Sequence, residues 1–285
     1  MRTELHSRSR SVVIGSDLPF VAIGERINPT GRQKLGPQMA AGDFSSVEGD
    51  ARAQAAAGAA LLDINAGYPM GNEADMLRGA VRAAQAACDL PLCLDSSHPE
   101  ALAAALEIYE GKALVNSVTG EDASLEAILP LVRKYNCAVI GLTSDERGIT
   151  LDPAQRLAVA HKIVGRARDH SIPAEDVILD PICLAVATDP RSVPVTLETL
   201  RLIREDLGVN TCCGASNIGF GLPDRTALSA VFLPMAISCG LTAAITNVMN
   251  PSIQEALLAT DVLLGRDEYA RRWLAHYRQK LPRAG

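Results

Sequence analysis

The chain has 285 residues, 27 Lys and Arg against 33 Asp and Glu, and a net charge of −6, with 48% hydrophobic and 21% charged residues. That composition excludes a disordered chain, and an acidic chain without a clustered basic face excludes a nucleic-acid footprint. No apolar run reaches the roughly 20 residues needed to span a bilayer, and no signal-peptide core follows the mildly basic first ten residues, so a cytoplasmic protein without membrane contact is expected.

Along the chain, Val12–Ile14 reads as a short extra strand closing the bottom of the fold. The first main strand, Phe20–Gly24, is followed by a helix over Phe44–Ala57. Strand Ala60–Asn65 precedes helix Glu73–Cys88, and Pro91–Asp95 precedes Pro99–Tyr109, which opens with proline at its first turn. Strands Ala113–Asn116, Ala138–Thr143 and Val177–Asp180 alternate with helices Ser124–Tyr135, Pro153–Asp169 and Val195–Asp206. Cys212–Ser216 and Ala243–Thr246 are the last strands, with helices Asp224–Cys239 and Ser252–Leu264 after them. The tail beyond Tyr269 reads as a final amphipathic helix.

The strand runs are apolar without alternation, the pattern of parallel strands covered on both faces. Eight such strands alternating with eight helices predict one α/β domain over residues 1–285, a (β/α)8 TIM barrel with its core at about 20–265. An open doubly wound sheet is the runner-up, but the first strand–helix turn lacks its glycine-rich phosphate fingerprint. The seven cysteines, Cys88, Cys93, Cys137, Cys183, Cys212, Cys213 and Cys239, lie mostly in apolar segments and form no Cys-x-x-Cys pair. They read as buried thiols, and no metal site is expected. His98 reads as a cap of the helix after it; His6, His161, His170 and His276 read as solvated.

In a barrel of this kind the active site lies where the strands end. Those ends read Gly24-Glu25-Arg26-Ile27-Asn28, Asp63-Ile64-Asn65, Asp95-Ser96-Ser97, Asn116-Ser117, Thr143-Ser144-Asp145, Asp180-Pro181, Ser216-Asn217 and Asn247. Any one of these could be a helix cap or turn residue. Together they put carboxylates and amides around a single mouth, where an unpaired buried carboxylate would be costly. Such a ring suits a ligand rich in N–H donors and ring-nitrogen acceptors, such as a pterin.

The run Gly24-Glu25-Arg26-Ile27-Asn28-Pro29-Thr30-Gly31 resembles the opening of the pterin-binding methyltransferases. Leu62-Asp63-Ile64-Asn65-Ala66-Gly67, Cys93-Leu94-Asp95-Ser96, Val115-Asn116-Ser117, Ile140-Gly141-Leu142-Thr143, Leu179-Asp180-Pro181 and Ala215-Ser216-Asn217 match the same family in order. The resemblance runs from about Phe20 to Leu264 and is nearest to methyltetrahydrofolate:corrinoid protein methyltransferases; cobalamin-dependent methionine synthase and dihydropteroate synthase are wider relatives. It implies that Asp95, Asn116 and Asp180 anchor the pterin and that Asn217 reaches its N5 as the catalytic residue. It implies further that Glu25 and Asp63 line the mouth, that Gly214 and Ser216 shape the floor beside Asn217, and that Arg225 matches a basic position beyond that loop.

The implied reaction moves a methyl group between N5 of tetrahydrofolate and the cobalt of a corrinoid, in either direction. N5 must gain a proton or hydrogen bond as its bond to the methyl breaks, and an Asn there would stabilise the protonated amine while water delivers the proton. The chain carries no Asp-x-His-x-x-Gly pattern for a cobalt-ligating histidine, so the corrinoid is expected free or on a partner protein. Relatives imply a homodimer. Dihydropteroate synthase chemistry and a non-catalytic pterin-binding barrel are the alternatives; the loops Asn28-Pro29-Thr30-Gly31 and Asn65-Ala66-Gly67-Tyr68-Pro69 depart from the former.

Overall fold

The structure is a computed structural model and describes residues 1–280. The chain opens with an antiparallel hairpin, β1 (Arg2–His6) and β2 (Ser11–Gly15). Eight parallel strands follow: β3 (Val21–Ile27), β4 (Leu61–Asn65), β5 (Leu92–Asp95), β6 (Leu114–Thr119), β7 (Ala138–Leu142), β8 (Val177–Asp180), β9 (Cys212–Gly214) and β10 (Ala243–Thr246). Their order around the sheet is β8-β7-β6-β5-β4-β3-β10-β9. A parallel bridge between Leu179 and Thr211, with the Leu179 N–H on the Asn210 carbonyl at 2.9 Å, joins the two ends. The result is the expected (β/α)8 barrel. Around it run α1 (Leu35–Ala40), α2 (Ser45–Ala56), α3 (Glu73–Ala87), α4 (Pro99–Leu106), α5 (Asp122–Lys134), α6 (Pro153–Asp169), α7 (Ser192–Asp206), α8 (Arg225–Cys239) and α9 (Pro251–Leu263), with α10 (Arg271–Lys280) after them.

Side chains alternate along each strand, and the two faces meet different cores. Val21, Ile23, Leu61, Cys93, Leu114, Ala138, Ile140, Ile178, Cys212 and Ala243 form one cluster inside the barrel. Their outward neighbours, among them Leu62, Ile64, Leu94, Val115, Val139 and Leu179, pack against the helices. Because both faces are apolar, the sequence shows no alternation although the structure has it.

The hairpin plugs the base. Leu5 and Ile14 are fully buried in the interior cluster, and the Asn210 amide donates to Thr3 Oγ1 and the Ile14 carbonyl, each at 2.9 Å. The sequence reading anticipated β2 but treated its partner β1 as a tail. His6 accordingly is not a solvated tail residue; its backbone exchanges hydrogen bonds with Lys112, and its carbonyl accepts the Tyr109 hydroxyl at 3.1 Å. His276, also expected in solvent, has a buried Nε2 on the cavity between α9 and α10.

Several boundaries differ from expectation, and two of them have a local cause. β3 runs to Ile27, beyond the expected Gly24, because Gln54 Oε1 accepts the Arg26 N–H at 2.9 Å and continues the strand's hydrogen bonding. Gly24 makes that approach possible: a Cβ there would lie 2.4 Å from Gln54 Oε1. β9 ends at Gly214 because Ala215–Gly219 turns into a 3-10 helix.

Candidate functional site

The inward-facing series of each strand changes character as it nears the C-terminal end. Val21 and Ile23 lead to Glu25, Leu61 to Asp63, Cys93 to Asp95, Leu114 to Asn116, Ile178 to Asp180 and Cys212 to Gly214. Strand register sets Asn65, Asp95 and Asn116 side by side on β4, β5 and β6, with Asp63 opposite Cys93 one layer deeper. Apolar rungs thus fill the barrel and polar groups cap them on one side, where they line a cavity of about 650 Å³.

All nine residues expected at a site, Glu25, Asp63, Asp95, Asn116, Asp180, Gly214, Ser216, Asn217 and Arg225, line this one cavity. Their amides and carboxylates are already partly paired. Asn116 Nδ2 donates to Asp63 Oδ1 at 3.2 Å, and Asn65 Nδ2 to Asp95 Oδ2 at 2.9 Å. Asp180 Oδ1 accepts the Ile182 N–H at 2.6 Å, which orients its carboxyl toward the mouth end of β8.

Burial dominates the electrostatics. It raises Asp63 well above the ordinary carboxylate range, with the charge of Asp95 adding to the effect. Asp95 is raised by burial and partly relieved by Asn65. Asp180 is pushed up to about 7 by burial, against the lowering influence of the Ile182 N–H and of Arg156. Glu25 is raised by burial, while Ser216, Arg225 and Arg26 pull the other way. A ligand that donates N–H bonds to these carboxylates would relieve the cost of their ionisation.

Asn217 is exposed and sits in the 3-10 turn after β9. A Cβ on Gly214 would lie 2.9 Å from Asn217 Nδ2, so a side chain there would displace the amide from its present position. Asn217 does not cap the following helix; Asp224 does, with its side chain accepting from Ala227 N–H. His98 holds the N-cap position of α4, but its side chain makes no cap bond, and its Nδ1 lies 2.9 Å from Glu73 Oε2.

Some residues of the site carried no sequence signal. Arg32 and Phe220 come to the rim from loops, and nothing in their spacing marks them. Arg156 of α6 is fully buried; its Nε donates to the Thr150 carbonyl at 2.8 Å and its Nη1 to the Ile182 carbonyl at 3.0 Å and to the Pro181 carbonyl. It therefore braces the loop that carries Asp180. Among the described residues, no group of three or more His, Cys, Asp or Glu is arranged to hold a metal ion.

The fold is that of enzymes whose active sites lie at the C-terminal ends of barrel strands, and the polar residues here gather at that end. The chain belongs to the pterin-binding family: the family described as pterin binding enzyme matches residues 24–247. It is similar to a methylcorrinoid:tetrahydrofolate methyltransferase of Eubacterium limosum, 29% identical over 268 residues, covering 91% of this chain and 97% of that one. It is also 31% identical over 252 residues to methionine synthase of Mycobacterium tuberculosis, covering 83% of this chain but 21% of that much longer protein. Among solved structures, dihydropteroate synthase from Xanthomonas albilineans in complex with 7,8-dihydropteroate superposes with TM-score 0.67 at 20% identity, covering 92% of this chain and 98% of that one. Dihydropteroate synthase from Thermus thermophilus gives 0.66 at 22% identity, covering 91% and 99%. At those identities the structural likeness bears on the fold alone.

Proposed function

We propose that this protein is a methyltransferase that moves a methyl group between N5 of tetrahydrofolate and the cobalt of a corrinoid. The observation that carries the reading is the ring of inward carboxylates and amides at one mouth, with the Asn217 amide on the same cavity above a glycine. Asp95, Asn116 and Asp180 would hold the amino-pyrimidine edge of the pterin, since ionised carboxylates accept its N–H groups and an Asn both donates and accepts. Asp63, one layer deeper, would orient Asn116 through their hydrogen bond.

Asn217 would meet N5. An amine can leave only with its electron pair neutralised by a proton, so the Asn carbonyl would stabilise protonated N5 while water delivers the proton. The methyl carbon then passes to cobalt(I), whose electron pair forms the new bond as the C–N pair stays on nitrogen. The reverse direction uses the same groups. The corrinoid would be a substrate brought free or by a partner protein, consistent with the similarity to a methylcorrinoid:tetrahydrofolate methyltransferase along nearly the whole of both chains.

The test is a visible spectrum of reduced cobalamin mixed with enzyme and methyltetrahydrofolate. Loss of the cobalt(I) band with growth of methylcobalamin is the expected result. An unchanged spectrum with enzyme that binds tetrahydrofolate would withdraw the methyl-transfer reading and leave a pterin-binding barrel.

A further inference from the structure

The polar residues of the mouth stand on two arcs of the barrel. Asp95, Asn116 and Asp180, which would hold the amino-pyrimidine edge, stand on β5, β6 and β8. On the other side β9, β10 and β3 are consecutive neighbours, and Asn217, Asn247 and Glu25 stand toward their mouth ends. A pterin held by its amino-pyrimidine edge on the first arc turns its other ring, with N5, toward the second.

Glu25 is the carboxylate of that second arc. Among the described residues, it is the one carboxylate of the mouth cavity that also lines a smaller cavity of about 220 Å³, between the barrel wall and the first turns of α8 and α9. The two cavities share Glu25, Ser216, Arg225 and Asn247, and Thr226 and Ser229 bring hydroxyls to the smaller one. A polar space of that size has room for several waters. The Ser216 hydroxyl, next to Asn217 in the chain, donates a hydrogen bond to the Glu25 carboxyl. Glu25 is thus tied to the turn that carries Asn217 on one side and opens on a polar recess on the other. Three charged groups face it: Asp63 on β4, Arg26 on β3 and Arg225 on α8. Burial outweighs the two guanidinium groups and favours the protonated carboxyl.

We infer that Glu25 is the proton donor of the methyl transfer and that the smaller cavity is the water route that recharges it. This rests on the methyl-transfer reading, in which water carries the proton but its source has no residue assigned. An amide is too weak an acid to be that source, and a lone water would be left as hydroxide. The Glu25 proton passes over one water to the lone pair of N5. The methyl carbon bonds to cobalt(I) through the cobalt electron pair, and the C–N pair stays on nitrogen. The products are the N5–H amine, methylcobalt and the Glu25 carboxylate, which regains a proton through the smaller cavity. In the reverse direction the same carboxylate takes the proton from N5.

The test pairs single-turnover transfer from methyltetrahydrofolate to reduced cobalamin with calorimetry of tetrahydrofolate, across pH. Glu25→Gln keeps size and a polar group but has no acidic proton. Its rate at neutral pH should fall by roughly a hundredfold or more, while it binds tetrahydrofolate nearly as the parent does. The parent rate should decline as pH rises through the Glu25 pKa, and the variant should lose that dependence. Ser216→Ala removes a hydrogen bond that favours the ionised carboxylate, so the midpoint of the decline should move to higher pH. Asp180, pushed up to about 7 by burial, has no such tie to Ser216, and this arm distinguishes the two carboxyls. It also keeps the test decisive if Glu25→Gln does not fold. A parent-like rate in Glu25→Gln, or a rate lost only in proportion to tetrahydrofolate binding, would overturn the proposal and spare the methyl-transfer reading. So would an unmoved midpoint in Ser216→Ala. A parent protein that binds tetrahydrofolate but transfers no methyl group would overturn both.

Discussion

The Asn217 amide lies where a side chain at Gly214 would push it aside, so Gly214 leaves it in its present position. Asn217 makes no cap bond to α8, a task that falls to Asp224. Its truncation therefore removes little that holds the fold together. If its carbonyl stabilises protonated N5, its contribution is larger in the transition state than with either substrate bound. Asn217→Ala is expected to lower single-turnover methyl transfer by roughly a hundredfold or more while binding tetrahydrofolate nearly as the parent does. Its melting curve should coincide with the parent curve. A normal rate in a protein destabilised by about 1 kcal/mol would mark Asn217 as a turn residue and sink its catalytic assignment.

Among the elements, the β1–β2 hairpin and the barrel divide the work between base and mouth. Leu5 and Ile14 close the interior from below, far along the strands from Asp95 and Asp180. Leu5→Ala empties a fully buried position of the interior cluster, so a loss of about 2–5 kcal/mol is expected in urea denaturation. The methyl-transfer rate per folded molecule should be unchanged; a rate that fell with stability intact would mean the hairpin reaches the mouth. The eight strands were legible in the sequence because doubly covered strands are apolar throughout, and the polar residues that interrupt them at their ends marked the mouth. β1 was not legible: Arg2, Glu4 and His6 alternate with Thr3 and Leu5, and what receives the latter pair, Glu175 and Asn210 for Thr3 and the barrel interior for Leu5, comes from far along the chain. α1 was not anticipated: it is only six residues long and contains Gly36 and Pro37, both poor helix formers, although Leu35 and Met39 are buried. Arg156, Arg32 and Phe220 reach the site by tertiary packing alone, and no local spacing predicts that.

At the scale of the whole molecule, the mouth is a place where the fold gives up stability. Asp180 is pushed up to about 7, and Asp63 and Asp95 are raised as well, all chiefly by burial. A carboxyl whose folded pKa lies above its unfolded value binds more protons in the folded state, so its contribution is complete below about pH 4 and is lost as pH rises through its folded pKa. The surface carboxylates Asp122, Asp145 and Asp189, lowered by their arginine and lysine partners, act only in acid, where they lose stability as pH falls. Between pH 5 and 8 those surface carboxylates stay ionised, so the raised carboxyls of the mouth contribute there, together with Asp176 outside the mouth, which burial also raises. Without ligand, the protein is expected to melt at a lower temperature at pH 8 than at pH 5.5. Asp180→Asn, which retains an oxygen for the Ile182 N–H, should remove part of that difference and raise stability at pH 8 by on the order of 1–3 kcal/mol, a few degrees in Tm. Tetrahydrofolate should act in the opposite sense on the parent, because N–H groups bound to the ionised carboxylate reward the form that the empty site disfavours; its stabilising shift should be larger at pH 8 than at pH 6. Melting curves with and without tetrahydrofolate at these pH values read both effects. A ligand shift independent of pH, with the Asp180→Asn protein behaving as the parent, would mean that this carboxyl does not face the bound heterocycle.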